Sequence, residues 1–163
     1  MPSNTDIVNQ EIDELYVNMK YFVKMFLKPE TWTEINPGLE WVENTFPLVV
    51  RSSIPRHCGV YAFIIKPNVF DLKITSMLYV GKATNLYERV GAYLTERGKS
   101  MTETRRPNIC RMINTWDGYL NYYYTLTSTV AEAEELEDKI IETFIPIFNR
   151  DYPAETSTMM RMF

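Results

Sequence analysis

Apolar residues recur at helical spacing near the start of the chain, where Ile12, Leu15, Tyr16, Met19, Val23 and Phe26 share one face of residues 6–27 before Pro29 ends the pattern. This spacing predicts an amphipathic helix that packs through its apolar face. Residues 29–58 have no period. Pro29, Pro37, Pro47 and Pro55 interrupt Trp32, Trp41 and Phe46, which reads as an ordered connector or arm with a short helix near Leu39–Glu43.

From Gly59 the pattern changes. GVYAFIIK and MLYVG are β-branched and aromatic runs that predict two adjacent strands joined by a loop. Leu86, Val90, Tyr93 and Leu94 then mark a helix over Asn85–Arg97, with Thr84 or Asn85 able to cap it and Gly98 beyond its end. A short helix is expected over Asn108–Thr115, a third strand over Tyr119–Leu126, and a long helix over Val130–Phe144 that stops before Pro146. The predicted order is β-β-α-α-β-α, and no segment repeats or has low complexity.

Composition narrows the chemistry. At 163 residues, with 45% hydrophobic and 13% aromatic side chains, the chain suits one globular core. It divides into an N-terminal helical arm packed on the core (1–58), a catalytic module (59–150) and a C-terminal tail (151–163). Cys58 and Cys110 lie far apart and His57 is the single histidine, so a Cys/His zinc site is excluded and any metal is held by oxygen. No stretch looks like a signal peptide and no run approaches the roughly 18 apolar residues of a membrane span, so the protein is read as cytoplasmic. The net charge of −4 argues mildly against nucleic acid, but its distribution does not. Residues 1–45 carry eight acidic and three basic side chains, whereas residues 82–111 carry seven basic and three acidic. A local basic face can steer a polyanion even on an acidic molecule.

On the last helix, Ala133, Leu136, Ile140, Ile141 and Phe144 form the apolar stripe. At about 100° per residue, Glu137 falls inside that stripe while Glu132, Glu134, Glu135, Asp138 and Glu142 point away. An inward carboxylate needs a partner, either a divalent metal or Arg89. The alternative is that Glu137 lies at the edge of the stripe and reaches solvent. Arg89, one turn before Tyr93, borders its own helix's stripe and can fork onto phosphate oxygens, or is simply solvated. Tyr61 and Tyr79 sit mid-strand, where core packing is the ordinary role. Their combination with Lys82, just past a strand, and Asn149, in a Pro-x-aromatic-Asn ending, makes the set informative.

GVY at Gly59–Tyr61, YVGKATNLYERVGAYL at Tyr79–Leu94 and ELEDKIIETFIPIFN at Glu135–Asn149 resemble the GIY-YIG nuclease superfamily over about 90 residues. The spacings agree: lysine three and arginine ten residues after the second tyrosine, and asparagine twelve after the glutamate. Valine replaces isoleucine in both motifs, and Cys58 stands where the family usually has proline. The arginine helix lacks the histidine of some restriction members.

The resemblance implies an α/β (α+β) fold with a three-stranded antiparallel sheet flanked by helices. It also implies a magnesium- or manganese-dependent endonuclease acting on nucleic acid, most readily DNA. It makes Tyr61 and Tyr79 the motif tyrosines, Arg89 the essential arginine, Glu137 the metal ligand and Asn149 the residue that closes the site, with Lys82 at a place where lysine is frequent. Either tyrosine can serve as general base if Arg89, Lys82 or metal lowers its pKa from near 10.

Lys66 and Lys73, in the loop between the tyrosines, and Lys99, Arg105, Arg106 and Arg111 are candidate phosphate contacts. The rival readings are a non-cutting nucleic-acid-binding module on the same fold, and a partner-recruiting role in which residues 1–58 dock on another protein. The chain is expected to be a monomer or homodimer.

Overall fold

The computed structural model describes residue 10 and residues 38–149, except 67, 70, 71 and 74. The expected helix over 6–27 and the tail from 151 lie outside the described residues. Among residues 38–149, six strands and three α-helices are described, in order: β1 (Val42–Thr45), β2 (Gly59–Ile65), β3 (Asn68–Val69), β4 (Leu72–Lys73), β5 (Ser76–Ala83), α1 (Leu86–Leu94), α2 (Pro107–Thr115), β6 (Leu120–Leu126) and α3 (Val130–Phe144). A 3-10 turn at Arg51–Ser53 lies between the first two strands. The main sheet is antiparallel in the order β1-β6-β2-β5. It therefore has four strands rather than the expected three, and β3 and β4 form a small hairpin within the loop between the tyrosines.

The fourth strand corrects the reading of residues 39–43 as a short helix. Leu39–Trp41 are not helical, and Val42–Thr45 pairs with Tyr124–Asn121. Val42 and Thr45 are β-branched, and the open backbone of β6 supplies the hydrogen bonds that a short polar segment could not retain alone. The described part of the arm also enters the core, since Phe46 and Ile54 are 2% exposed.

Every residue of β2 is buried, because helices cover both sheet faces. Tyr61, Phe63 and Ile65 face one core with Leu86, Val90 and Tyr93 of α1 and Ile109, Met112 and Ile113 of α2. Val60, Ala62 and Ile64 face the other, against Ala133, Ile140 and Ile141 of α3. The register between β2 and β5 shifts between Phe63 and Ile64, where Phe63 pairs with Tyr79 and Ile64 with Met77. Leu78 is the extra residue of this bulge, so both Leu78 and Tyr79 pack on the α1/α2 side.

The helix ends follow local chemistry. Asn85 caps α1 by accepting from Glu88 N at 3.2 Å. Thr129 caps α3 by accepting from Glu132 N at 3.1 Å, while Ser128 N, one residue before the cap, donates to Glu132 Oε2 at 2.9 Å. Past α3, Ile145 takes a left-handed conformation with φ 45° before Pro146. This conformation is costly for a β-branched residue, and it turns residues 146–149 back along β5.

Candidate active site

β5 is an outer strand, so the backbone groups on its far side need partners from elsewhere. Asn149 supplies two: its Oδ1 accepts from Val80 N at 3.0 Å and its Nδ2 donates to Val80 O at 2.8 Å. Phe148 N donates to Leu78 O at 3.0 Å. Two residues beyond Val80, Lys82 N donates to Glu137 Oε1 at 3.2 Å. One edge strand thus holds both the asparagine and the inward glutamate of α3. Along this edge lies a cleft of about 460 Å³, bordered by Tyr79 and Lys82, by Arg105, Arg106 and Ile109, by Glu137, and by Phe148 and Asn149.

Glu137 has a side chain 15% exposed, as its place in the apolar stripe predicts. Its partner is Lys82 rather than Arg89: Lys82 Nζ stands 3.4 Å from Glu137 Oε2 and 2.5 Å from Glu134 Oε1. Burial raises the Glu137 pKa above its ordinary value, with the Lys82 ammonium and N–H opposing that rise. The carboxylate is therefore short of positive charge even with Lys82 beside it.

Behind the cleft, the tyrosines differ. Tyr79 is half-buried and borders the cleft, whereas Tyr61 is 1% exposed and its hydroxyl is hydrogen-bonded to that of Tyr93. Gly81 makes room for this phenol, because a Cβ there would collide with the Tyr61 hydroxyl. Burial drives the Tyr61 pKa well above that of a free phenol, Tyr93 and Tyr79 add to the rise, and Arg89 opposes it weakly. Arg89 is half-buried, within electrostatic range of Tyr61, Tyr93, Tyr79 and Glu137. It makes no ion pair among the described residues.

Tyr93 is a residue that periodicity assigned only to the core. Its hydroxyl also accepts from Arg106 Nη2 at 3.2 Å, and the Arg106 guanidinium lies 4.7 Å from its ring centroid. Its place one turn after Arg89, on the same side of the helix, was the available signal.

The outlying basic residues separate into groups. Arg105 and Arg106 border the cleft. Lys99 is paired with Glu96 at 3.1 Å, and Arg111 lies on α2, half-buried. Lys66 is not brought to the cleft: it pairs with Glu43 at 2.7 Å and lies 4.8 Å from the Tyr123 ring centroid. Lys73 lies on β4, with its side chain outside the described part.

The donor set suits a hard, hydrated cation. No group of three or more His, Cys, Asp or Glu side chains gathers among the described residues. Glu137 nonetheless already holds a positive charge, the Lys82 ammonium, at the border of an open cleft. One carboxylate with room for waters and substrate oxygens matches magnesium's preference, and Glu137 is the carboxylate at the border of this cleft.

Residues 57–150 match the model of the UvrC-like GIY-YIG domain. The chain belongs to this family. It is a nuclease family, and the four-stranded sheet with its three helices is its fold in this chain. UvrABC system protein C of Helicobacter hepaticus is 31% identical over 104 residues, which cover 63% of this chain and 15% of that protein. The protein of the same name from Rickettsia felis is 32% identical over 95 residues, covering 58% and 12%. The chain thus spans less than a sixth of the length of these relatives. The GIY-YIG N-terminal endonuclease domain of UvrC from Thermotoga maritima, solved with its catalytic magnesium, is 20% identical, covers 76% of this chain and 100% of that one, and has a TM-score of 0.41. The match to the UvrC-like domain begins at residue 57, so β1, Phe46, Arg51 and Ile54, which enter this chain's sheet and core, precede the matched residues. No described helix is long and apolar enough to cross a membrane.

Proposed function

We propose that this chain is an endonuclease that hydrolyses phosphodiester bonds in DNA with one divalent cation, magnesium or manganese. Glu137 carries the reading: it is a carboxylate drawn into an apolar stripe, at the border of an open cleft, with cationic side chains around it. The relatives' designation as UvrABC system protein C and the magnesium in the Thermotoga maritima domain are consistent with it.

Glu137 would hold the cation, which when bound would supply charge neutralisation to the phosphodiester. The chain's own groups do the remainder. Lys82 and Arg89 meet the negative charge that grows on phosphorus oxygens, and Arg89 has no competing ion pair among the described residues. Tyr79, bordering the cleft, is the phenol that takes the proton of the attacking water. Tyr61 holds its proton tightly and, with Tyr93, keeps Arg89 and Tyr79 in place. Asn149 acts through Val80, by fixing the strand between Tyr79 and Lys82. Arg105 and Arg106 bind substrate from the opposite wall.

The test is cleavage of supercoiled plasmid and of single-stranded oligonucleotides with magnesium, manganese or EDTA, comparing wild type with Glu137→Ala and Arg89→Ala. Wild type is expected to cut only with metal, and each variant to lose activity by about 10²- to 10³-fold while remaining folded. A wild type inactive on every substrate, or variants that cut equally well, would replace this reading with that of a non-cutting module.

A further inference from the structure

Outside the cleft, a second group of cationic side chains surrounds one aromatic ring. Arg51 and Arg56, in the segment before β2, each place their guanidinium carbon 4.1 Å from the ring centroid of Tyr87 on α1. The two like charges therefore stand no more than about 8 Å apart, where they repel. Neither forms an ion pair among the described residues, and Glu88, next to Tyr87 in the helix, pairs with neither.

Docking the segment on α1 does not require both arginines. Leu86 N donates to His57 O at 3.0 Å and Tyr87 N to Pro55 O at 3.2 Å, so the backbone already ties the two together. Arg51 strengthens the attachment: its Nη2 donates to Tyr87 O at 3.0 Å, and it occupies the space that a Cβ on Gly91 would fill. Arg56 does neither. It is exposed beside the exposed His57, with its charge uncompensated. A guanidinium stacked on a ring keeps its N–H edge open, and this edge matches phosphate oxygens.

The position relative to the cleft is bounded by the strand register. Arg56 lies four residues before Val60, the register partner of Lys82. With at most about 3.6 Å per residue and about 5.5 Å between paired strands, the Arg56 and Lys82 backbones are no more than roughly 20 Å apart. This is about six steps of a duplex at 3.4 Å each, so a strand bound in the cleft is long enough to reach both.

We propose that Arg51, Arg56 and Tyr87 form a second nucleic-acid backbone site, which holds a phosphate of the strand flanking the cleaved bond. The inference rests on the nuclease reading. Both arginines precede the residues matched by the family model, whereas Tyr87 lies within them.

The experiment is fluorescence anisotropy of a labelled 20-base-pair duplex with the full chain in EDTA, where nothing is cut, over a range of salt concentrations. Arg56→Ala is expected to weaken binding severalfold and to reduce the slope of log affinity against log salt by about 0.9, the value for one phosphate contact. Arg56→Glu is expected to weaken it further, and Arg56→Lys, which retains charge without the fork, to fall between. Arg105→Ala in the cleft is the comparison. If it weakens binding while Arg56→Ala and Arg56→Glu leave affinity and slope unchanged, the second site is wrong and the nuclease reading stands. If wild type binds no duplex, the second site is wrong, and the nuclease reading is decided by the cleavage assay.

Discussion

Among the described residues, the two outer strands of the sheet each carry a row of backbone groups with no neighbouring strand, and they meet this difficulty differently. Along β5, the groups of Leu78, Val80 and Lys82 are taken by Phe148, Asn149 and Glu137. The side chains that satisfy the edge are thus the ones that form the cleft. On β1, four residues long, the described contact is an ion pair, Glu43 with Lys66, both side chains more than a third exposed. The first edge joins structure to chemistry, whereas the second, among the described residues, carries an exposed ion pair. Side chains recruited to satisfy a buried edge are held by short-range geometry, and this is the preorganisation a reactive site needs.

The largest effect expected from breaking this contrast is at Asn149. Asn149→Ala leaves Val80 N and O without partners on a buried edge and should cost about 2 to 4 kcal/mol, read as a lower urea midpoint. On the other edge, Glu43→Gln should shift the midpoint by less than about 0.5 kcal/mol. Equal losses at the two positions would mean that the β5 edge is nothing special.

A smaller effect tests the ion cluster. Glu134 draws Lys82 away from Glu137, so in Glu134→Gln the ammonium should rest on Glu137 and compete with the cation. Manganese binding without nucleic acid, followed by electron paramagnetic resonance, should weaken by about fivefold, near the limit for a half-exposed pair. The double variant Glu134→Gln/Lys82→Ala should recover it. Weak binding that persists in the double variant would make Glu134 a ligand instead.

The smallest concerns the burial of Glu137 itself. Its raised pKa means that the folded protein holds that proton more tightly than the unfolded chain does. The stability contribution of this group is therefore lost as pH rises from the ordinary value of 4.5 through the folded value, and stays lost at neutral pH. Glu137→Gln should raise Tm by a degree or two near pH 7, roughly 0.5 kcal/mol, with the gain gone near pH 4. A Tm unchanged or lowered at pH 7 would show that Lys82 fully compensates the buried charge.

Much of this was legible along the chain. Val130–Phe144 was placed to the residue because its apolar period and the stop at Pro146 are local signals, and Asn85 likewise marked the start of α1. Glu137 was singled out because one carboxylate among six broke the helical pattern. β1 was not legible: four residues containing Glu43 and Asn44 have no strand period, and their pairing depends on β6, about 80 residues later in the chain. The polar role of Tyr93 was hidden by its apolar ring, which satisfies the stripe whether or not its hydroxyl has a partner.

The sequence alone determined the three helices and the strands β2, β5 and β6, which face of each helix is apolar, and which family the motif residues indicate, since each is written in spacing over a few turns or a few strand residues. Only the tertiary structure decided that Lys82 and not Arg89 meets Glu137, that Tyr61 is sealed behind Gly81 while Tyr79 borders the cleft, and that Lys66 is tied to Glu43. Those outcomes depend on strand order, on the single-residue bulge at Leu78 and on the left-handed turn at Ile145. Each brings together atoms that are distant in the chain, and no local period encodes such distances.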